Sequence, residues 1–148
     1  MEKIDDIITL HKANNVTNAG SWQSRIDGVK AVMIAKLGLV AGDFVEVPVL
    51  FTPIAVGATH RASAYVPNMV NLLVANGHLV VPDPFFDPFK ADFDDKLAAL
   101  GYKKSSDAAA SIHFIDNFIW YHALQGQVHC GTNSRREIVA APGWWTQR

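Results

Sequence analysis

The sequence predicts an α/β fold, and three observations carry that expectation. Two stretches place apolar residues three and four apart, with capping residues at their ends, as amphipathic helices do. The pair Asn76-Gly77 divides two runs rich in leucine and valine, a strong short-range signal for a β-hairpin. Helical and strand patterns then alternate in the order helix, strand, hairpin, helix, strand, turn, strand.

Residues 2–11 read as a short helix with Ile4, Ile7 and Ile8 inward, and residues 14–20 as a polar break. Ser21 is the expected N-cap of the next helix. Its residues Trp22, Ile26, Val29, Met33 and Leu37 share one face, and Gly38 supplies the stop. Gly28 inside it costs about 1 kcal/mol against alanine, which so long a stripe absorbs. Residues 44–51 read as a strand with Val45, Val47 and Val49 on one face, and Pro48 places it at an edge or near an end. Residues 52–63 are expected to form a loop. In the hairpin after Met69, leucines and valines fill both faces, so it should be central and covered on each side. Asp87 is the expected cap of the second long helix, with Pro88 at its first position and Gly101 past its end. Phe89, Phe93, Leu97 and Leu100 would be its buried stripe. Residues 111–115 read as a strand, 118–124 as a short helical turn, and 127–132 as the strand or strand edge that bears Cys130.

At 148 residues the chain suits one domain, large enough to bury about two thirds of its unfolded surface. Apolar residues at 49% against 18% charged exclude a disordered chain. A net charge of −1 offers no attraction to nucleic acid or an anionic membrane, and neither is expected as a partner. No apolar run approaches the ~20 residues of a membrane-spanning helix, and the acidic opening is unlike a signal peptide. Cys130 is the sole cysteine and cannot make an internal disulfide, so a cytoplasmic location is expected.

The candidate chemistry lies between Gly126 and Arg136. Cys130 follows His129 there, Gly126 and Gly131 permit bends or close approach, and Arg135 and Arg136 come after. A lone thiol in this setting is either a small buried hydrophobe or a nucleophile. Asp83, Asp87, Asp92, Asp94 and Asp95 lack the spacing of a calcium loop and read as acids favoured near a helix start. His11, His60 and His78 read as solvated, and His113 and His122, among aromatics, as buried and bonded to backbone. Trp144 and Trp145 read as a terminal anchor on the core, with an interface as the alternative. In a strand, neighbouring side chains point oppositely, so His129 would face away from a site that Cys130 faces and support the loop from behind.

The segment resembles the active-site stretch of the protein-arginine deiminases, which has the form Gly-x-Val-His-Cys-Gly-Thr-Asn-x-Arg-Arg followed by Trp-Trp. Gly126, Val128, His129, Cys130, Gly131, Thr132, Asn133, Arg135 and Arg136 match, and Trp144-Trp145 follows. Further matches are Pro67-Asn68-Met69-Val70-Asn71, the run from His78 to Phe85, Phe114-Ile115 and Tyr121-His122. The resemblance is close from about Gly38 onward and looser before it. It implies a pentein-like propeller of αββαβ-type modules, of which residues 1–148 would supply about two, as the C-terminal portion of the catalytic domain. It also implies conversion of peptidyl-arginine to citrulline and ammonia through a thiouronium intermediate on Cys130, with Gly126, His129 and Gly131 in the active-site loop. An arginine-containing protein or peptide would be the substrate.

That chemistry needs partners. A guanidinium is planar, delocalised and cationic, so carboxylates must hold its nitrogens while a histidine serves as acid and base. The resemblance implies two aspartates and a histidine in those roles, one aspartate two residues after the histidine. No His-x-Asp occurs in the sequence; Asp5-Asp6 lies in the segment matching the helix after that histidine. Calcium is the implied cofactor, but its ligands lie upstream of the matching region, so no metal-binding residue is assigned. Leu124 and Gln125 stand where the resemblance expects an Arg-His pair, and Gln127 where it expects an acid. The chain is therefore expected to hold the nucleophile's half of a site and to be inactive alone. The alternative is a non-catalytic remnant acting as a binding module. Partners could be the missing upstream part of the domain or further copies of the chain, and Cys130 is expected to be an ordinary or sluggish thiol.

Overall fold

Residues 4–17 and 20–134 are described by the computed structural model; the expectations at Arg135, Arg136, Trp144 and Trp145 lie outside them. Helices α1 (Ile4–Lys12) and α2 (Trp22–Leu37) lead into strands β1 (Phe51–Val56) and β2 (Thr59–Ala64). Strands β3 (Leu73–Ala75) and β4 (His78–Pro82), helix α3 (Asp87–Ala98) and strand β5 (Ile112–Ile115) follow. Strands β1 and β2 pair antiparallel as one small sheet; β3, β4 and β5 form a second in that order, with β3 antiparallel and β5 parallel to β4. Short mixed sheets with a few helices make an α/β fold, as expected.

The expected hairpin is present. Asn76 and Gly77 both take positive φ (51° and 78°), and Ala75 pairs with His78 across a two-residue turn. Only β4 is central. Strand β3 is an edge, with Val74 exposed, whereas Leu79 and Val81 are buried beneath α3. Because β5 runs parallel to β4, the link between them must cross over, and α3 supplies that crossover. Phe93 and Leu97 of α3 close the core with Met69, Leu79, Val81 and Ile112, and the Phe93 ring meets Phe114 edge-on at 5.9 Å. The expected start of α3 is shifted by one residue: Phe86 is the N-cap and Asp87 the first helical residue. Leu100 leaves the buried stripe and is exposed, since the helix has ended and the chain turns at Gly101 (φ 93°).

The first half differs more. The strand expected over residues 44–51 begins only at Phe51, and the segment expected as a loop is the β1–β2 hairpin. Gly57, at φ 61°, occupies the first central position of its two-residue turn, where a type II′ turn wants glycine. Asn15 sets the start of β1. Its amide nitrogen donates to the carbonyls of Phe51 (2.8 Å) and His11 (2.9 Å), and its oxygen accepts from the Phe51 N–H (2.9 Å). The side chain thus imitates a neighbouring strand for one residue.

Helix α2 has the expected ends. Ser21 Oγ accepts from the Ser24 N–H at 3.3 Å, and Gly38, at φ 68°, donates its N–H to the Ile34 carbonyl. Its face is not the expected one. Ile26, Val29, Met33 and Leu37 are 48%, 62%, 38% and 65% exposed, and no α2 residue is buried. Trp22, half-buried on the Phe51 ring at 5.8 Å, and the Lys30–Glu46 ion pair hold the helix, and no described element covers its stripe. In α1, Ile7 and Ile8 are half-buried. No described helix is long and apolar enough to cross a membrane.

Candidate functional site

Cys130 sits on a tight turn and not on the expected strand. Residues His129–Gly131 form one turn of 3-10 helix, and the Gly131 N–H reaches back to the carbonyls of Gln127 (3.2 Å) and Val128 (3.1 Å). The approach is equally local. Gln125 takes a left-handed conformation (φ 65°), and the Gly126 N–H donates to the Tyr121 carbonyl at 2.8 Å. Backbone groups committed to neighbours three to five residues away cannot also join a sheet ladder. The alternation that turned His129 away from Cys130 therefore does not apply; both residues are exposed on the turn.

Asn71 anchors that turn from a distant part of the chain. Its side-chain oxygen accepts from the His129 N–H at 3.0 Å, its backbone carbonyl accepts from the same N–H at 3.3 Å, and its Nδ2 points at Cys130 Sγ at 3.8 Å. Gly131 lies against the Tyr121 ring so closely that a Cβ there would fall 2.2 Å from a ring carbon. Gly126 is less crowded, and a Cβ there would stand 3.4 Å from the Tyr121 carbonyl oxygen. Ser63 Oγ donates to Gln125 Oε1 at 2.9 Å, tying the approach to β2. Gly126, Cys130 and Gly131 thus lie together along one local turn. Asn71 was missed as a site residue, because nothing local marks it; only its place in the matched Pro67–Asn71 run sets it apart.

A buried polar group lies beneath the turn. Gln127, Asn117 and His122 are all buried, as is Val128 between Gln127 and the turn. Asn117 Nδ2 donates to Gln127 Oε1 at 3.1 Å, and Gln127 Nε2 stands 2.8 Å from His122 Nδ1. An amide nitrogen only donates, so Nδ1 is the acceptor, and the ring proton resides on Nε2. Burial pushes the His122 pKa below its ordinary value, and the bond to the Tyr65 backbone works weakly against this. Asn117 Oδ1 has no partner among the described residues. His122 is therefore buried as expected. His113 is exposed instead, its Nε2 2.9 Å from His78 Nδ1, because it sits on the outer side of β5 opposite the hairpin turn. His60 is exposed; His11 is half-buried, its ring 5.2 Å from that of Tyr65.

The acids around α3 are engaged with neighbours. Asp83 pairs with Lys90 at 3.0 Å, Asp92 with Lys96 at 2.7 Å and Asp95 with Lys104, while Asp94 accepts from Ser105 Oγ at 2.6 Å. Among the described residues no three His, Cys, Asp or Glu side chains converge to hold a metal. The described residues do not fit a calcium site.

Comparison with known proteins extends this picture. The family model for protein-arginine deiminase (PAD) matches residues 2–146. The chain is 38% identical to mouse protein-arginine deiminase type-3 over 125 residues, which is 83% of the chain and 18% of the relative. It is 35% identical to rat protein-arginine deiminase type-4 over 147 residues, 97% of the chain and 21% of the relative. Human protein-arginine deiminase type-1 is 33% identical over 125 residues, again 83% of the chain and 18% of the relative. The chain thus spans about a fifth of the length of the curated relatives it matches. A match of this extent, running through the Cys130 turn and the Asn71 segment that anchors it, settles the relationship: the chain belongs to the protein-arginine deiminase family.

Proposed function

We propose that residues 1–148 are the C-terminal portion of a deiminase catalytic domain and supply the nucleophile's half of its site. The observation that carries this reading is the position of the single cysteine: exposed, on a turn gripped from 59 residues away by Asn71, inside the matched segment. In the reaction, the Cys130 thiolate attacks the central carbon of a peptidyl-arginine guanidinium. A terminal C–N bond breaks, and the leaving nitrogen takes a proton to depart as ammonia. Water then adds to the resulting S-alkylthiouronium carbon, the S–C bond breaks, and citrulline and the free thiol are released. Gly126 and Gly131 shape the loop, and His129, exposed beside Cys130, borders the substrate's approach. The acid–base histidine and the aspartates that clamp the guanidinium would come from elsewhere in the domain. The two small sheets, one a hairpin and one a ββαβ unit, suit two modules of a pentein-like propeller.

The chain alone should form no citrulline from arginyl peptides, with or without calcium, because losing members of a cooperating catalytic group costs orders of magnitude in rate. A colorimetric ureido assay on the chain and on Cys130→Ala checks this. Turnover that depends on Cys130 would show that the missing partners were wrongly assigned. A non-catalytic binding module is the second reading, and the uncovered face of α2 is the observation that favours it.

A further inference from the structure

We propose that Asn71 is a positioning residue for Cys130, acting on the sulfur through its amide as well as on the turn through its oxygen. The inference rests on the reading of Cys130 as the nucleophile. One carboxamide serves both ends of the pair His129–Cys130: Oδ1 accepts from the His129 N–H at 3.0 Å, and Nδ2 points at Sγ at 3.8 Å. The planarity of the amide makes the two contacts interdependent. Fixing Oδ1 on the backbone of residue 129 aims the NH2 group at the side chain of residue 130. The backbone carbonyl of Asn71 takes a second share of the same N–H at 3.3 Å, so residue 71 is held from its main chain too. At 3.8 Å the contact with a neutral thiol is weak. A thiolate is a far better acceptor, and a hydrogen bond to an ionised group is roughly twice as strong as a neutral one. The contact therefore gains strength as the sulfur ionises, which is the form that attacks carbon. The described residues place no cation in contact with Sγ; the amide of Asn71 is the donor they aim at it.

Alkylation of Cys130 by iodoacetamide tests this without requiring turnover, so a chain that makes no citrulline leaves the experiment intact. Cys130 is the only thiol, and Cys130→Ser supplies the blank. Asn71→Asp keeps an oxygen for the His129 N–H and replaces the donor by a carboxylate about 4 Å from the sulfur. In water-like surroundings that separation corresponds to a rate about five-fold lower near neutral pH, with the variant converging on the parent at high pH. Asn71→Ala should also slow the reaction, by loss of donor and anchor together. If Asn71 only braces the turn, Asn71→Ala will change the rate by one factor at every pH and leave the midpoint of the pH profile at the parent's, and the proposal fails. Should the variants misfold by circular dichroism, the parent protein decides. The Asn71 side-chain NH2 resonances, followed by ¹⁵N NMR, should move as the thiol ionises and stay fixed over the same range in Cys130→Ser. Resonances that ignore the thiol overturn the proposal.

Discussion

Replacing Gln127 by glutamate should invert the way His122 links stability to pH. In the parent, Gln127 Nε2 donates to His122 Nδ1 at 2.8 Å inside a buried group, and burial holds the imidazole neutral with a lowered pKa. A group whose folded pKa is depressed binds fewer protons folded than unfolded. Its contribution is complete above the ordinary histidine value of about 6.5 and is lost as pH falls toward the folded value. Protonation would set two donors against each other at 2.8 Å and add an unpaired buried charge. In Gln127→Glu the facing group becomes an acceptor only, so the imidazolium is the form that is bonded. The folded pKa then rises, and the contribution is present below the ordinary value and lost as pH climbs through the new one.

The groups around the ring bear on how clean that reversal is. Phe118 and the Tyr65 carbonyl face it, Asn117 holds the far side of Gln127, and none of them carries a charge; the His11 ring lies beyond, tilted on the Tyr65 ring at 5.2 Å. Exchanging a neutral hydrogen bond for a charge-assisted one is worth about 1–2 kcal/mol. Relative to the parent, the variant should therefore gain roughly that much stability between about pH 7.5 and about pH 5.5. Urea unfolding of both proteins at the two pH values gives the difference, and the His122 ring proton shift reports the protonation state directly. A stability difference that stays constant with pH, or a ring that still titrates below the ordinary range in the variant, would refute the assignment of Gln127 as donor.

Two further outcomes follow from packing. Phe93→Ala empties the centre of the core between β4, β5 and α3 and should destabilise the fold by about 3–5 kcal/mol in urea unfolding. The uncovered stripe of α2 should bind a hydrophobic dye or drive self-association visible by light scattering, and Met33→Glu with Leu37→Glu should reduce both signals.

Local features were legible in the sequence, and long-range ones were not. Ser21 and Gly38 mark the ends of α2 because a cap acts within three or four residues of itself, and Asn76-Gly77 specifies its turn for the same reason. Burial is different in kind. The spacing of Ile26, Val29, Met33 and Leu37 says that one face of α2 is apolar, but only a neighbouring element can make that face inward. The displaced first hairpin has a similar cause. Valine alternation over residues 44–49 carries the same period whether or not a partner strand is present, whereas Asn15 and Tyr65 supply partners only at the end of that run.

The Cys130 turn shows how the same limit bears on chemistry. Val128 and its neighbours look like a strand by composition, yet strand formation requires a row of free backbone groups opposite, and the described residues offer none. Tyr121 and Asn71 claim those groups instead, the first through the Gly126 N–H and the second through the His129 N–H. Gly131 then allows the chain to press on the Tyr121 ring, where any larger residue would push the thiol's turn off its support. Two consequences of the strand reading fall with it: His129 is not forced away from Cys130, and the sulfur's environment is not set by residues two positions along the chain. Among the described residues, the polar contact on the sulfur comes from Asn71, at the end of the Pro67–Asn71 segment. Reactivity at Cys130 should accordingly respond more to substitution of Asn71 than to substitution of its sequence neighbour Thr132, whose hydroxyl is spent on the His129 carbonyl at 3.2 Å.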